Sequence, residues 1–118
     1  MSEWSAPKSD TEKLAWLRLF RSENVGPATF ATLMVRFSSP EAALRALPDL
    51  AKRGGMKRRI KLAPEADAEK EFETAQKAGA RFIFRTDDIF PPLLAATEQA
   101  PPILTLRGQA EQIGRAHV

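Results

Sequence analysis

Residues 24–37 read Asn-Val-Gly-Pro-Ala-Thr-Phe-Ala-Thr-Leu-Met-Val-Arg-Phe. Phe30, Leu33, Met34 and Phe37 fall at i, i+3, i+4 and i+7, the spacing that gathers four apolar side chains on one face of an α-helix. Ahead of them, Asn24-Val25-Gly26-Pro27 breaks the preceding segment. Glycine tolerates backbone angles closed to other residues, and proline favours the first position of a new helix. The stretch therefore reads as a tight turn joining two helices. Upstream, Leu14, Leu17 and Phe20 recur every three residues, and Trp16 and Leu19 broaden that stripe. Ser9 or Asp10 is placed to cap this segment with Glu12 in its first turn, which predicts a first helix over about residues 11–21.

Downstream, Ser38-Ser39-Pro40-Glu41 supplies a cap, a proline for the first helical position and a carboxylate near the positive helix end, predicting a short third helix over residues 42–47. Pro48-Asp49-Leu50-Ala51 reads as a separate short turn of helix, interrupted by Gly54-Gly55. Ala63-Pro64-Glu65 opens a longer amphipathic helix with Ala68, Phe72 and Ala75 on one face, Glu73 and Lys77 at the stabilising i, i+4 spacing, and Gly79 as its stop. Past Gly79 the period changes. Arg81-Phe82-Ile83-Phe84 and Ile103-Leu104-Thr105-Leu106 read as strands, and four of the nine prolines lie between them, which forbids a long regular helix there. Two strands alone are marginal in water, so this part reads as the beginning of an α/β domain whose strands lack partners for their apolar sides.

At 118 residues, 43% of them hydrophobic, the chain suffices for one modest domain burying roughly two thirds of its unfolded surface. It has no cysteine, which excludes a disulfide-stapled secreted scaffold and makes a cytoplasmic setting the simplest reading. No run of about 18 apolar residues occurs, so no membrane partner is expected. The net charge of +3 is unevenly spread. Residues 1–51 carry six bases against six acids, and residues 62–118 carry six bases against nine acids. Lys52, Arg53, Lys57, Arg58, Arg59 and Lys61 fall within ten residues that hold no acid. Such a block is the electrostatic footprint of a polyanion partner.

The chemistry available for catalysis is sparse. There is no cysteine or tyrosine, and the single histidine is His117, so nucleophile and base pairs built on His or Cys are excluded and no enzyme activity or cofactor is expected. Asp87-Asp88 is the obvious carboxylate pair, but adjacent residues point in different directions, and Asp ahead of a Pro-rich segment is ordinary turn chemistry. The basic block is the better candidate site. Each phosphate neutralised releases counterions, and Gly54 and Gly55 would let a strand approach the backbone closely. A solubilising loop is the competing reading. No aromatic residue interleaves the bases, so stacking is absent and binding should be weak, non-specific and salt-sensitive. The turn at Asn24–Pro27 could offer a helix N-terminus to a phosphate, but Pro27 removes one donor and Glu23 adds a negative charge, which favours a structural role. Trp4 lies outside every periodic segment and either stays loose or docks on the helices.

Taken in order, Leu17 and Leu19, Asn24-Val25-Gly26-Pro27, Phe30 and Leu33, Leu47-Pro48-Asp49-Leu50-Ala51, Gly79-Ala80, Phe90-Pro91-Pro92-Leu93-Leu94, and Pro101-Pro102-Ile103-Leu104 with Gly108 resemble the N-terminal part of the DNA-processing DprA (Smf) family. The resemblance spans about residues 14–109. It implies a mainly α chain: a small SAM-like, helix-hairpin-helix-like bundle followed by the truncated start of an α/β Rossmann-like domain. It further implies a non-enzymatic parent that binds single-stranded DNA, forms a homodimer and loads RecA during natural transformation. The Gly-rich loop and basic residues of that family's DNA site have no counterpart here, so none of them is carried over. Residues 113–118, Ile-Gly-Arg-Ala-His-Val, read like a translated sequencing adapter and are expected to be non-native. The resulting division is a polar leader at 1–9, the helical domain at 10–79, an incomplete Rossmann-like start at 80–112, and the tail. A freestanding helix-hairpin-helix module that grips duplex backbones through the basic loop is the alternative.

Overall fold

A computed structural model describes Trp4 and residues 6–52, 60–95 and 100–107. The expectations for Arg53, Gly54-Gly55, Lys57, Arg58, Arg59, residues 108–112 and the tail fall outside those residues. Four helices come first: α1 (Asp10–Phe20), α2 (Pro27–Phe37), α3 (Pro40–Lys52) and α4 (Glu65–Lys77). A strand β1 (Ala80–Phe84), a single helical turn α5 (Pro92–Ala95) and a second strand β2 (Ile103–Arg107) follow. The fold is mainly α, as the sequence pattern implies.

The helix ends follow local chemistry. The Ser9 hydroxyl accepts the Glu12 N–H at 3.2 Å, satisfying a first-turn donor that α1 leaves open, while the Glu12 carboxylate accepts the Lys8 N–H, just ahead of the cap, at 3.1 Å. Ser39 caps α3 in the same way, its Oγ accepting from the Ala42 N–H at 3.1 Å. Gly79 ends α4 with φ of +73°, in the left-handed region that favours glycine. Ser38 closes α2 in that region too, at φ of 71°. The expected break at Pro48 is absent, and α3 runs through it as one helix. A proline there forfeits one hydrogen bond and crowds the carbonyl four residues back. Pro48 lies on the exposed side while Ala43 and Leu47 are buried, so the cost falls on the solvent face and the packing face continues.

α1 is the hub, packing against α2, α3, α4 and β2. Its central place accounts for the breadth of the stripe, which Trp16 and Leu19 widen beyond Leu14, Leu17 and Phe20 as the sequence pattern has it. Trp16 and Leu19 are fully buried, whereas Leu14 and Phe20 are only partly covered. A helix enclosed on several sides buries more than one face. Phe30, Leu33 and Met34 of α2 and Ala43 and Leu47 of α3 complete the bundle core, with Ala68 from α4.

The strands pair antiparallel, with Ala80 opposite Arg107 and Phe84 opposite Ile103. Their apolar sides are not stranded as the sequence reading expects. Phe84 and Ile103 belong to the same core as Trp16, whose ring meets that of Phe84 edge-on at 5.5 Å, and Phe82 stacks edge-on against Phe72 of α4 at 4.8 Å. Residues alternate across a strand, so Ile83 and Leu104 point to the opposite side, where Phe90 covers them with Leu106 alongside. Trp4 docks on the helices. Its ring lies 5.7 Å from Trp16 and 5.5 Å from Phe30, with the Arg85 guanidinium 4.7 Å from its centroid.

Candidate nucleic-acid interface

Of the six basic residues singled out in the sequence, Lys61 is described with its side chain, which is exposed, and Lys52 closes α3. Arg53, Lys57, Arg58 and Arg59 lie between these two fixed points. The segment that ends the block is held firmly. The Lys61 carbonyl accepts the Glu23 N–H at 2.9 Å, one residue before the Asn24–Pro27 turn. The Ala63 N–H donates to the Ser22 hydroxyl at 2.9 Å, that hydroxyl donates to the Arg18 carbonyl at 2.8 Å, and the Arg18 Nε donates to the Ala63 carbonyl at 2.7 Å. The C-terminal end of the basic block is thereby fastened to the turn between α1 and α2.

That turn owes its shape to asparagine rather than glycine. Asn24 takes φ of 66°, whereas Gly26 sits at φ of −96°, open to any residue. Asparagine adopts the left-handed region at lower cost than most residues, which is how Asn24 replaces the expected glycine. Gly26 caps α2 without a side-chain hydrogen bond and Pro27 occupies the first turn. The Phe30 N–H reaches the Gly26 carbonyl at 2.9 Å, so the amides of Ala28 and Thr29 precede the first intrahelical acceptor. A helix N-terminus and an exposed ammonium side chain are thus carried by backbone segments in direct hydrogen-bond contact. Both attract anions. Glu23, exposed at the same corner, opposes them.

The other candidate, Asp87-Asp88, is turn chemistry. The Asp87 Oδ2 accepts the Phe84 N–H at 2.8 Å, and the Asp87 N–H returns to the Phe84 carbonyl at 2.8 Å, so that carboxylate is spent on closing the strand end. Asp88 is exposed. Among the described residues no three His, Cys, Asp or Glu side chains converge on a point fit for a metal ion. No described helix is long and apolar enough to cross a membrane. The spacing of Glu73 and Lys77 yields no ion pair. Glu71 instead takes both Arg21 Nε and Nη2, the shortest contact being 2.8 Å. These hydrogen bonds raise the Arg21 pKa, against an opposing effect of burial.

Sequence reasoning missed Arg18 and Ser22, the residues that anchor the basic segment. Ser22 is buried and its partner lies 41 positions away, a contact that no local pattern announces.

Residues 10–74, the four helices almost entire, match the family described as the DprA-like N-terminal HHH domain. No curated protein matches the chain.

Proposed function

The chain belongs to the DprA-like N-terminal HHH domain family, and from that membership we propose that it serves DNA processing as the accessory DNA-contacting module of a DprA-type protein. In this reading the whole protein is cytoplasmic and non-enzymatic. It homodimerises, protects incoming single-stranded DNA during natural transformation and loads RecA onto it. The helical module adds a contact to the sugar-phosphate backbone through Lys52, Arg53, Lys57, Arg58, Arg59 and Lys61.

One observation supports it above the rest: the Glu23 N–H to Lys61 carbonyl bond, which fastens the end of the basic block to the turn that opens α2. A phosphate ligand gains where the segment that carries Lys61 is bonded to the turn that opens α2. Both sides of the antiparallel strand pair are apolar, Phe84 and Ile103 toward the helices and Ile83, Leu104 and Leu106 outward against Phe90.

The test is the salt dependence of binding to single-stranded and duplex oligonucleotides of one sequence. Each phosphate neutralised contributes about 0.7 to the logarithmic slope on single strands and about 0.9 on duplex. Replacing the six bases with glutamine should weaken binding and flatten the slope, and unchanged binding would remove the block from the interface. Tighter binding to duplex would favour the freestanding helix-hairpin-helix alternative, for which the uncapped N-terminus of α2 speaks.

A further inference from the structure

On the side of the molecule built from α1, α4 and β1, a groove of about 520 Å³ runs between the N-terminal half of α1, the C-terminal half of α4 and β1. Its floor is apolar, made by Leu14, Phe72, Phe82 and Phe84. Ala80, Arg81 and Phe82 line it in succession. Ala80, Phe82 and Phe84 share the helix-facing side of β1 and Arg81 belongs to the other, so residues of both sides border the groove, as they do where a groove reaches the strand's edge. β1 hydrogen-bonds β2 along its other edge and, among the described residues, no further strand. The groove therefore lies beside a row of backbone N–H and C=O groups without a ladder partner, an arrangement that templates the addition of an extended chain.

The charges around it narrow the occupant. Asp10, Glu69 and Glu73 stand on the helix side, exposed and in no salt bridge among the described residues. Lys13 of α1 and Arg81 of β1 also line the groove, Arg81 rooted on the strand side opposite Phe82, so three acids stand against two bases. A strand laid along β1 would direct alternate side chains inward, onto the phenylalanines and the α4 carboxylates, and the others outward beside Arg81 and Ile83. We infer that this edge binds an extended peptide segment of a partner protein, one that alternates lysine or arginine and large apolar residues on its inner side with an acidic or β-branched residue outward. This goes beyond the DNA-contacting reading and uses none of its residues.

The probe is a fluorescently labelled, end-blocked peptide, Lys-Glu-Phe-Val-Lys-Thr, titrated with the full chain and followed by anisotropy, with amide NMR shifts to place it. Binding is expected, with shifts concentrated at residues 80–84. The double variant Glu69→Gln/Glu73→Gln should weaken it about threefold to tenfold, the range of two exposed ion pairs. N-methylation of alternate peptide amides on the pairing side should abolish it, because the ladder is lost while composition is kept. Equal binding by the methylated peptide, or by one with glutamates in place of its lysines, would overturn the proposal, as would no binding at all. Concentration-dependent self-association that shifts the same amides and resists the peptide would also overturn it, since the edge would then belong to a second copy of this chain.

Discussion

The Ala63 N–H donates to the Ser22 hydroxyl at 2.9 Å, joining the turn that follows α1 to the segment that brings the chain back from its basic block. Ser22 is buried, and its hydroxyl passes a further hydrogen bond to the Arg18 carbonyl. Removing that oxygen leaves the partly buried Ala63 N–H unpaired, which costs about 1 kcal/mol, the low end of the range for a buried donor. Ser22→Ala is therefore expected to lower the urea midpoint with little change in the slope of the transition. It should also loosen the attachment of Lys61 to the turn. A variant as stable as the parent would show that water replaces the hydroxyl.

Two left-handed positions predict opposite effects. Gly79 sits at φ of +73° with no heavy atom within 4 Å of where a Cβ would stand, so Gly79→Ala meets only backbone strain and should destabilise by about 1 kcal/mol. Ser38 carries the same strain at φ of 71°, and Ser38→Gly should raise stability by a few tenths of a kcal/mol, the relief being partly offset by a freer unfolded chain. Thermal melts of the two variants beside the parent test both signs.

The Arg21–Glu71 pair predicts a flat response to alkali. Hydrogen bonding to the Glu71 carboxylate raises the Arg21 pKa, so its contribution is fully present below the unfolded value and disappears only as pH climbs through the folded one. Arginine stays protonated throughout the range in which proteins are handled, so the stability curves of the parent and Arg21→Gln should run parallel from about pH 7 to 10. The offset should stay below about 1 kcal/mol because the pair is partly exposed, at 42% and 34%. Curves that converge within that interval would mean another titrating group sets the effect.

Local chemistry was legible in the sequence where it acts over a few residues. The apolar spacing of Phe30, Leu33 and Met34, the caps at Ser9 and Ser39, the stop at Gly79 and the turn role of Asp87 all depend on neighbours within about one helical turn, and each is found where the pattern puts it. Tertiary packing was not legible. Pro48 marks a break by its own chemistry, yet the packing of Ala43 and Leu47 carries α3 past it. Trp16 and Leu19 read as the margin of a stripe because nothing local says that α1 is enclosed by three helices and a strand. The basic block declares its charge, whereas its anchorage through Arg18 and Ser22 depends on contacts more than 40 positions apart.

The sheet and the helices should unfold together. Phe84 is 2% exposed and Ile103 5%, and both lie in one continuous core with Trp16, Leu17 and Phe30. A core shared across the junction couples the strand pair to the helices, and two strands alone are marginal in water. The indole of Trp16 touches both Phe30 of the bundle and Phe84 of β1, so in a Trp4→Phe background, which leaves Trp16 as the only one of the chain's two tryptophans, its fluorescence reports the junction, while far-UV circular dichroism reports the helices. Chemical denaturation followed by the two signals should give coincident transitions. Phe84→Ala, which empties a buried aromatic site, should lower stability by about 3–5 kcal/mol and move both transitions by the same amount. If the variant proves too unstable to study, Ile103→Val, expected to cost about 0.5–1.5 kcal/mol, makes the same comparison. A fluorescence change that precedes loss of helix would place the strand pair outside the cooperative unit, with its contact to α1 an accessory one.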